Sequence, residues 1–205
     1  MGTTGAKGAI KQRLRGILDP VVALLDRLGA TPTGVTVAGL ALSLAGAIEV
    51  GRGAFVAGGL VLIAAGVCDT LDGSLARRRG AESPFGAFLD STIDRVAELA
   101  CFGALIVYYG SHAGRGPFTV PLLIAGLGGS FLTSYTRARA EGLGLECRVG
   151  VLERPERVAL LVLGLLTGGI VLYAVIVCLA VLTIATTVQR IVHVHLLTSP
   201  RGRAR

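Results

Sequence analysis

From residue 158 to residue 188 the chain carries no charged side chain. A helix of about thirty residues rises about 45 Å, whereas the hydrocarbon core of a bilayer is about 30 Å thick. One straight crossing therefore does not account for the run. The Gly168–Gly169 pair is the natural place for a turn, and it divides the run into two helices. Other apolar stretches occur upstream, and they explain why 52% of the 205 residues are hydrophobic and only 16% charged. Soluble domains carry about 25% charged residues, so the deficit points to a bilayer rather than a large aqueous core.

The pattern predicts an all-α, polytopic membrane protein of a single domain spanning residues 1–205. Six transmembrane helices are expected at 33–50, 54–75, 87–110, 118–135, 156–167 and 170–191, within a core at 31–195. Residues 7–28 place Ile10, Leu14, Ile17, Leu18, Val21, Val22 and Leu25 at helical spacing, with Lys7, Lys11, Arg13 and Arg15 between them. That segment reads as an amphipathic juxtamembrane helix within residues 1–30, lying on an anionic surface and interrupted or kinked near Pro20. Residues 196–205 form a basic tail. Trp is absent, so span edges are read from charge. Six spans put both termini on one side, together with Arg77–Arg79 and the connection from Arg137 to Arg157. The other side keeps little beyond Arg52 and Arg115. This asymmetry makes the first side cytoplasmic, in the cell membrane.

The net charge of +7 does not indicate nucleic acid, because the basic residues are interleaved with apolar spans and leave no room for a soluble binding module. Anionic headgroups and phosphorylated substrates account for it. Cys68, Cys101, Cys147 and Cys178 show no CxxC pairing, which argues against a metal site or disulfide framework built on them. No removable signal peptide is expected.

Residues 69–94 read DTLDGSLARRRGAESPFGAFLDSTID. Asp69 and Asp72 are three apart near the end of the second span, and Asp90 and Asp94 four apart near the start of the third. Both spacings put the paired carboxylates on one helical face. The short connection makes the two helices antiparallel neighbours. Acids in hydrocarbon cost about 2.5 kcal/mol or more each, and their mutual repulsion adds to that unless cations neutralise it. Hard oxygen donors in such a group suit Mg²⁺, Mn²⁺ or Ca²⁺, as one or two ions. Gly73 leaves the backbone beside Asp72 open to a ligand, and Arg77 is placed to bind diphosphate oxygens or hold an aspartate. The competing use of intramembrane acids is an ion pathway or proton relay, as in a divalent-cation transporter. That reading gives no reason for Gly73, Ala76 and Arg77.

Asp69, Asp72, Gly73, Ala76, Arg77, Gly86, Asp90 and Asp94 together resemble the CDP-alcohol phosphotransferase signature, D-x2-D-G-x2-A-R-x8-G-x3-D-x3-D. The resemblance implies that Asp69, Asp72 and Asp90 ligate metal, with Asp94 both a further ligand and the general base. Three more segments carry a narrower similarity: SYTRARAEGLG at 134–144, ERPER at 153–157 and TTVQR at 186–190. With GAFLDSTIDRV at 86–96, they resemble the actinobacterial phosphatidylinositol-phosphate synthases from about Thr31 to Arg190. That implies transfer of phosphatidate from CDP-diacylglycerol (CDP-DAG) to inositol 1-phosphate, with Mg²⁺ or Mn²⁺. Arg137, Arg154 and Arg190 become the acceptor-phosphate residues, although arginines at cytoplasmic span ends also follow from topology alone. Another acceptor such as glycerol 3-phosphate, or an archaeal-type lipid donor, fits the same chemistry. Thr36, in the segment Thr31–Thr36, is implied to lie near the nucleotide, and helix caps or back-bonded hydroxyls give a second reading of such a Thr. The family implies a homodimer in contact with membrane lipids. Gly39, Gly46, Gly58 and Gly59 permit close helix contacts either within one chain or between two.

Overall fold

The computed structural model describes residues 17–112 and 118–199, and its regular structure there is entirely α-helical. Helix α1 covers residues 17–27. It is followed by α2 (Pro32–Gly51), α3 (Phe55–Arg79), α4 (Pro84–Ser111), α5 (Thr119–Glu141), α6 (Arg154–Thr167) and α7 (Gly169–Thr198). The six expected spans fall on α2 to α7 in order. Residues 7–16 of the expected juxtamembrane helix and residues 200–205 of the basic tail lie outside the described residues. Helix α1 runs without a break through Pro20.

Among the described residues, α2, α3 and α7 are long and apolar enough to cross a membrane on composition alone. Helix α4 carries Asp90, Asp94, Arg95 and Glu98, and the end of α5 carries Arg137, Arg139 and Glu141. Helix α6 has 14 residues, a rise of roughly 21 Å. The turn between α6 and α7 sits where the apolar run demands it. Gly168 and Gly169 take φ of +66° and +51°, a region that side chains rarely adopt.

Two helix starts share one device. The Thr31 hydroxyl accepts the Gly34 N–H at 3.1 Å, and the Ser83 hydroxyl accepts the Gly86 N–H at 3.0 Å. In each case a proline follows the capping residue at the first helical position, where its missing N–H costs nothing. These caps fix where α2 and α4 begin, and so the height of Thr36, Asp90 and Asp94 along their helices.

The chain divides into two compact units. In the first (residues up to 44, and 61–97), α1 packs Leu18, Val22 and Leu25 onto a cluster that includes Val35, Leu71 and Leu75. A second stripe, Ile17, Val21 and Leu24 on α1 with Leu28 just after it, faces outward, with Ile17 71% and Leu28 72% exposed. The apolar residues of α1 are thus shared between protein and surroundings. Arg79 pins the end of α1 with three bonds: Nε to Asp26 Oδ1 (2.6 Å), Nη2 to the Asp26 carbonyl (2.9 Å) and Nη1 to the Ala30 carbonyl (2.6 Å). Arg78 Nε adds a contact to Asp26 Oδ2 at 3.2 Å.

The hydrogen bond from Arg79 holds the Asp26 carboxyl below its ordinary pKa of 3.8; partial loss of hydration opposes it, and Arg78 adds to the lowering. A depressed carboxylate contributes stability above its unfolded pKa and loses it as pH falls through the folded one. The melting temperature of Asp26→Asn should therefore lie below wild type at neutral pH, with the gap closing as pH drops below about 4. A gap that stays constant with pH would mean that the charge of Asp26 contributes nothing.

In the second unit (residues 45–60 and 98–205), α5 and α7 meet at a glycine and threonine seam. A Cβ added to Gly129 would come within 2.9 Å of Thr183 Cβ. The Thr133 hydroxyl donates to the Thr183 carbonyl at 3.0 Å and meets the Thr187 hydroxyl at 2.9 Å. Such contacts replace the hydrophobic drive that lipid does not supply between helices. Gly58 likewise lets its helix approach the Gly46 carbonyl, which an added Cβ would meet at 2.9 Å, and Gly59 abuts Leu166. In the first unit, Gly39 abuts Cys68.

Candidate metal centre

Helices α3 and α4 bring three carboxylates of the first unit together. One oxygen from each of Asp69, Asp90 and Asp94 lies within 4.8 Å of the others. Asp69 is exposed, Asp90 partly buried and Asp94 only 7% exposed. Arg95 Nη1 stands 3.6 Å from Asp94 Oδ2, too far for a firm hydrogen bond. Three acidic oxygens at this spacing fit a hard divalent cation, which takes all its ligands as oxygen.

Asp72, the fourth predicted ligand, stands beside this group. Asp69 and Asp90 are close enough to repel it. It is 6% exposed, and both its oxygens accept hydrogen bonds: Oδ2 from the Thr36 hydroxyl at 2.6 Å, Oδ1 from the Gly73 N–H at 2.5 Å. Thr36 therefore meets the site through Asp72. Its hydroxyl also lies 3.0 Å from the Pro32 carbonyl, the back-bonded position, and its one proton is best spent on the carboxylate.

Arg77 lies against Gly73. A Cβ on Gly73 would sit 3.4 Å from Arg77 Nη1, an ordinary contact, so the open face of the glycine is where the guanidinium rests. Arg77 Nη2 donates to Ser74 at 3.1 Å. The first unit also contains an apolar cavity of about 380 Å³ whose lining includes Val21, Leu25, Val35, Cys68 and Leu71. Cys68 and Leu71 adjoin Asp69 and Asp72 in sequence.

The predicted arginines lie in the second unit. Arg190 is 4% exposed and locked by two carbonyls, Nε to Val149 at 2.9 Å and Nη1 to Thr133 at 2.5 Å. Carbonyl partners leave its full positive charge in place. Arg137 pairs with Glu141 at 2.8 Å and is close enough to Arg190 to repel it. Arg154 is the first residue of α6. Glu153 and Glu156 form a capping box at that helix start. Arg157 pairs with Glu98 at 3.3 Å. Sequence reasoning left Arg95 out of the site, and its only signal was its place next to Asp94.

A family model described as CDP-alcohol phosphatidyltransferase matches residues 29–189. The archaetidylinositol phosphate synthase of Methanothermobacter thermautotrophicus is 36% identical over 185 residues, covering 88% of this chain and 90% of the relative. The phosphatidylinositol phosphate synthase of Mycobacteroides abscessus is 37% identical over 190 residues, covering 90% and 85%. Among solved structures, the Mycobacterium tuberculosis phosphatidylinositol phosphate synthase with CDP-DAG bound superposes with a TM-score of 0.81. It is 35% identical, and the match covers 91% of this chain and 96% of that one. The same enzyme in complex with manganese and citrate gives 0.82 at 35% identity, covering 91% of each.

Proposed function

The chain belongs to the CDP-alcohol phosphatidyltransferase family, and from that premise we propose that it transfers the phosphatidyl group of CDP-DAG to inositol 1-phosphate, releasing CMP. The observation that carries this reading is the group of three carboxylates, Asp69, Asp90 and Asp94, within 4.8 Å in an otherwise apolar chain. Asp72 completes the set of metal ligands, held in place by Thr36 and the Gly73 N–H. A divalent ion, Mg²⁺ or Mn²⁺, supplies charge neutralisation for the diphosphate and the departing CMP when bound.

The protein groups do the rest. Asp94 accepts the proton of the acceptor hydroxyl as that oxygen attacks the lipid-linked phosphorus. Arg77, over the open face of Gly73, binds diphosphate oxygens of the donor, and Thr36 serves the nucleotide side of the site through Asp72. The apolar cavity beside Cys68 and Leu71 suits part of a donor acyl chain. Arg137, Arg154 and Arg190 hold the acceptor phosphate. Arg190, fixed by two carbonyls, is already ordered before that phosphate arrives.

In this reading the protein crosses the cell membrane six times, with both termini and the site cytoplasmic. Helix α1 rests its outward stripe on the membrane surface, and the enzyme works as a homodimer. A second donor, an archaeal-type CDP-activated lipid, is favoured by the named activity of the Methanothermobacter relative.

The test is purified protein with either CDP-lipid and a panel of alcohols. Inositol 1-phosphate should be strongly preferred over plain inositol and over glycerol 3-phosphate. Equal use of plain inositol would sink the phosphate clamp, and metal flux without CMP release would sink the transferase. Replacing Arg137, Arg154 or Arg190 with Ala should raise the acceptor KM about tenfold, since a charge-assisted bond contributes roughly 1.5–3 kcal/mol. The donor KM should move much less. Unchanged acceptor KM in all three would leave the arginines a topological role only.

A further inference from the structure

Glu98 on α4, Ser130 on α5 and Arg157 on α6 form a buried polar node in the second unit, and the chemistry above uses none of them. The side chains of Glu98 and Arg157 are 6% and 5% exposed, and Ser130 is 1% exposed. Glu98 Oε1 accepts from Ser130 Oγ at 2.5 Å and from Arg157 Nε at 3.3 Å. Glu98 Oε2 is buried and meets no hydrogen-bond partner among the described residues.

A buried ion pair is a poor way to hold helices together, because apolar side chains of the same size do it as well or better. A carboxylate with one oxygen unmatched is poorer still. The arrangement makes sense if it fixes position rather than adding stability. Arg157 lies one turn beyond Arg154, in the first turn of α6. The capping box of Glu153 and Glu156 holds the same turn from its other end. The node therefore ties the first turn of α6 to two helices at once, which sets its rotation and its depth. Glu98 has a second effect. Arg157 is close enough to Arg190 to repel it, and an adjacent carboxylate reduces that repulsion.

We infer that Glu98, Ser130 and Arg157 are positioning residues for the acceptor. They orient the first turn of α6 so that Arg154 meets the acceptor phosphate, without touching the acceptor themselves. This rests on the reading of Arg154 as a phosphate residue.

The experiment uses the full chain in lipid nanodiscs, with CDP-DAG and inositol 1-phosphate, and compares Glu98→Gln, Arg157→Lys, Arg157→Met and Ser130→Ala with Arg154→Ala. Glu98→Gln and Arg157→Met should raise the acceptor KM about tenfold while the donor KM stays within about twofold. Arg157→Lys keeps the charge and should recover part of the loss, and Ser130→Ala should give a smaller rise of about threefold. A merely structural role lowers the melting temperature and leaves both KM values alone, or moves them together, and either pattern overturns the inference. Should Arg157→Met fail to fold, Glu98→Gln and Ser130→Ala decide the matter. Arg154→Ala separates the two levels. If it raises acceptor KM while the Glu98 and Ser130 variants do not, only the positioning role falls. If it leaves acceptor KM unchanged, the phosphate reading of Arg154 falls and the positioning role with it.

Discussion

Replacing Asp90 with Asn is expected to lower CMP release by about 10³-fold, while the protein still inserts and folds. The amide keeps the shape of the side chain and removes one of three charges whose oxygens lie within 4.8 Å of one another. The stabilisation of developing charge by a bound divalent ion amounts to several kcal/mol, and losing about 4 of them is a factor of roughly 10³. Asp69→Asn should behave alike, and added Mn²⁺ should restore part of the rate by mass action. Turnover is measured as CMP released against metal concentration. A variant with normal rate and normal metal dependence would remove that residue from the cage. Asp72→Asn is also expected to be severe, and it tests a separate point. Its carboxylate is braced by Thr36 and Gly73, so a loss there that added metal does not rescue would mark Asp72 as an organising group more than a ligand.

The second large effect is expected at Asp94. As general base it contributes roughly 10²–10⁴-fold, so Asp94→Asn should lose about that much in kcat while CDP-DAG binding largely survives. The Asp94 carboxylate is the most buried of the three, with the Arg95 guanidinium 3.6 Å away. Equilibrium binding of CDP-DAG, measured beside turnover, separates the two jobs assigned to this residue. Donor binding reduced as much as in Asp72→Asn would make Asp94 chiefly a ligand.

What the sequence disclosed was local in character. The i, i+3 and i, i+4 spacings of the aspartates were readable because a helix repeats every 3.6 residues and the chain there is helical from Phe55 to Ser111 with one short break. The turn at Gly168–Gly169 was readable because the apolar run exceeded a bilayer and only glycine takes positive φ without strain. Long-range pairing was not readable. Thr36 reaches Asp72 across 36 positions, Arg79 reaches Asp26 across 53, and Arg157 reaches Glu98 across 59. No periodicity encodes such partners. Helix α1 shows a related limit. Its apolar residues suggested one face for one surface, whereas Leu18, Val22 and Leu25 pack on protein and Ile17, Val21 and Leu24 face outward. The two stripes are adjacent on the helix, and composition does not distinguish a protein neighbour from a lipid one.

The seam between α5 and α7 bears on how this sequence is free to drift. At Gly129 any side chain would collide with Thr183, and at Gly126 an added Cβ would press on the Phe102 ring at 3.2 Å. Leu132 and Tyr135 on the same helix are 53% and 64% exposed. One helix thus holds positions closed to every larger residue next to positions where many apolar side chains serve equally well. Lineages descending from this protein should exchange the outward residues of α5 readily and keep its inward glycines. A change at Gly129 would survive only alongside glycine at 183, since the clash reaches the Thr183 Cβ itself, so the two positions are inherited as a pair.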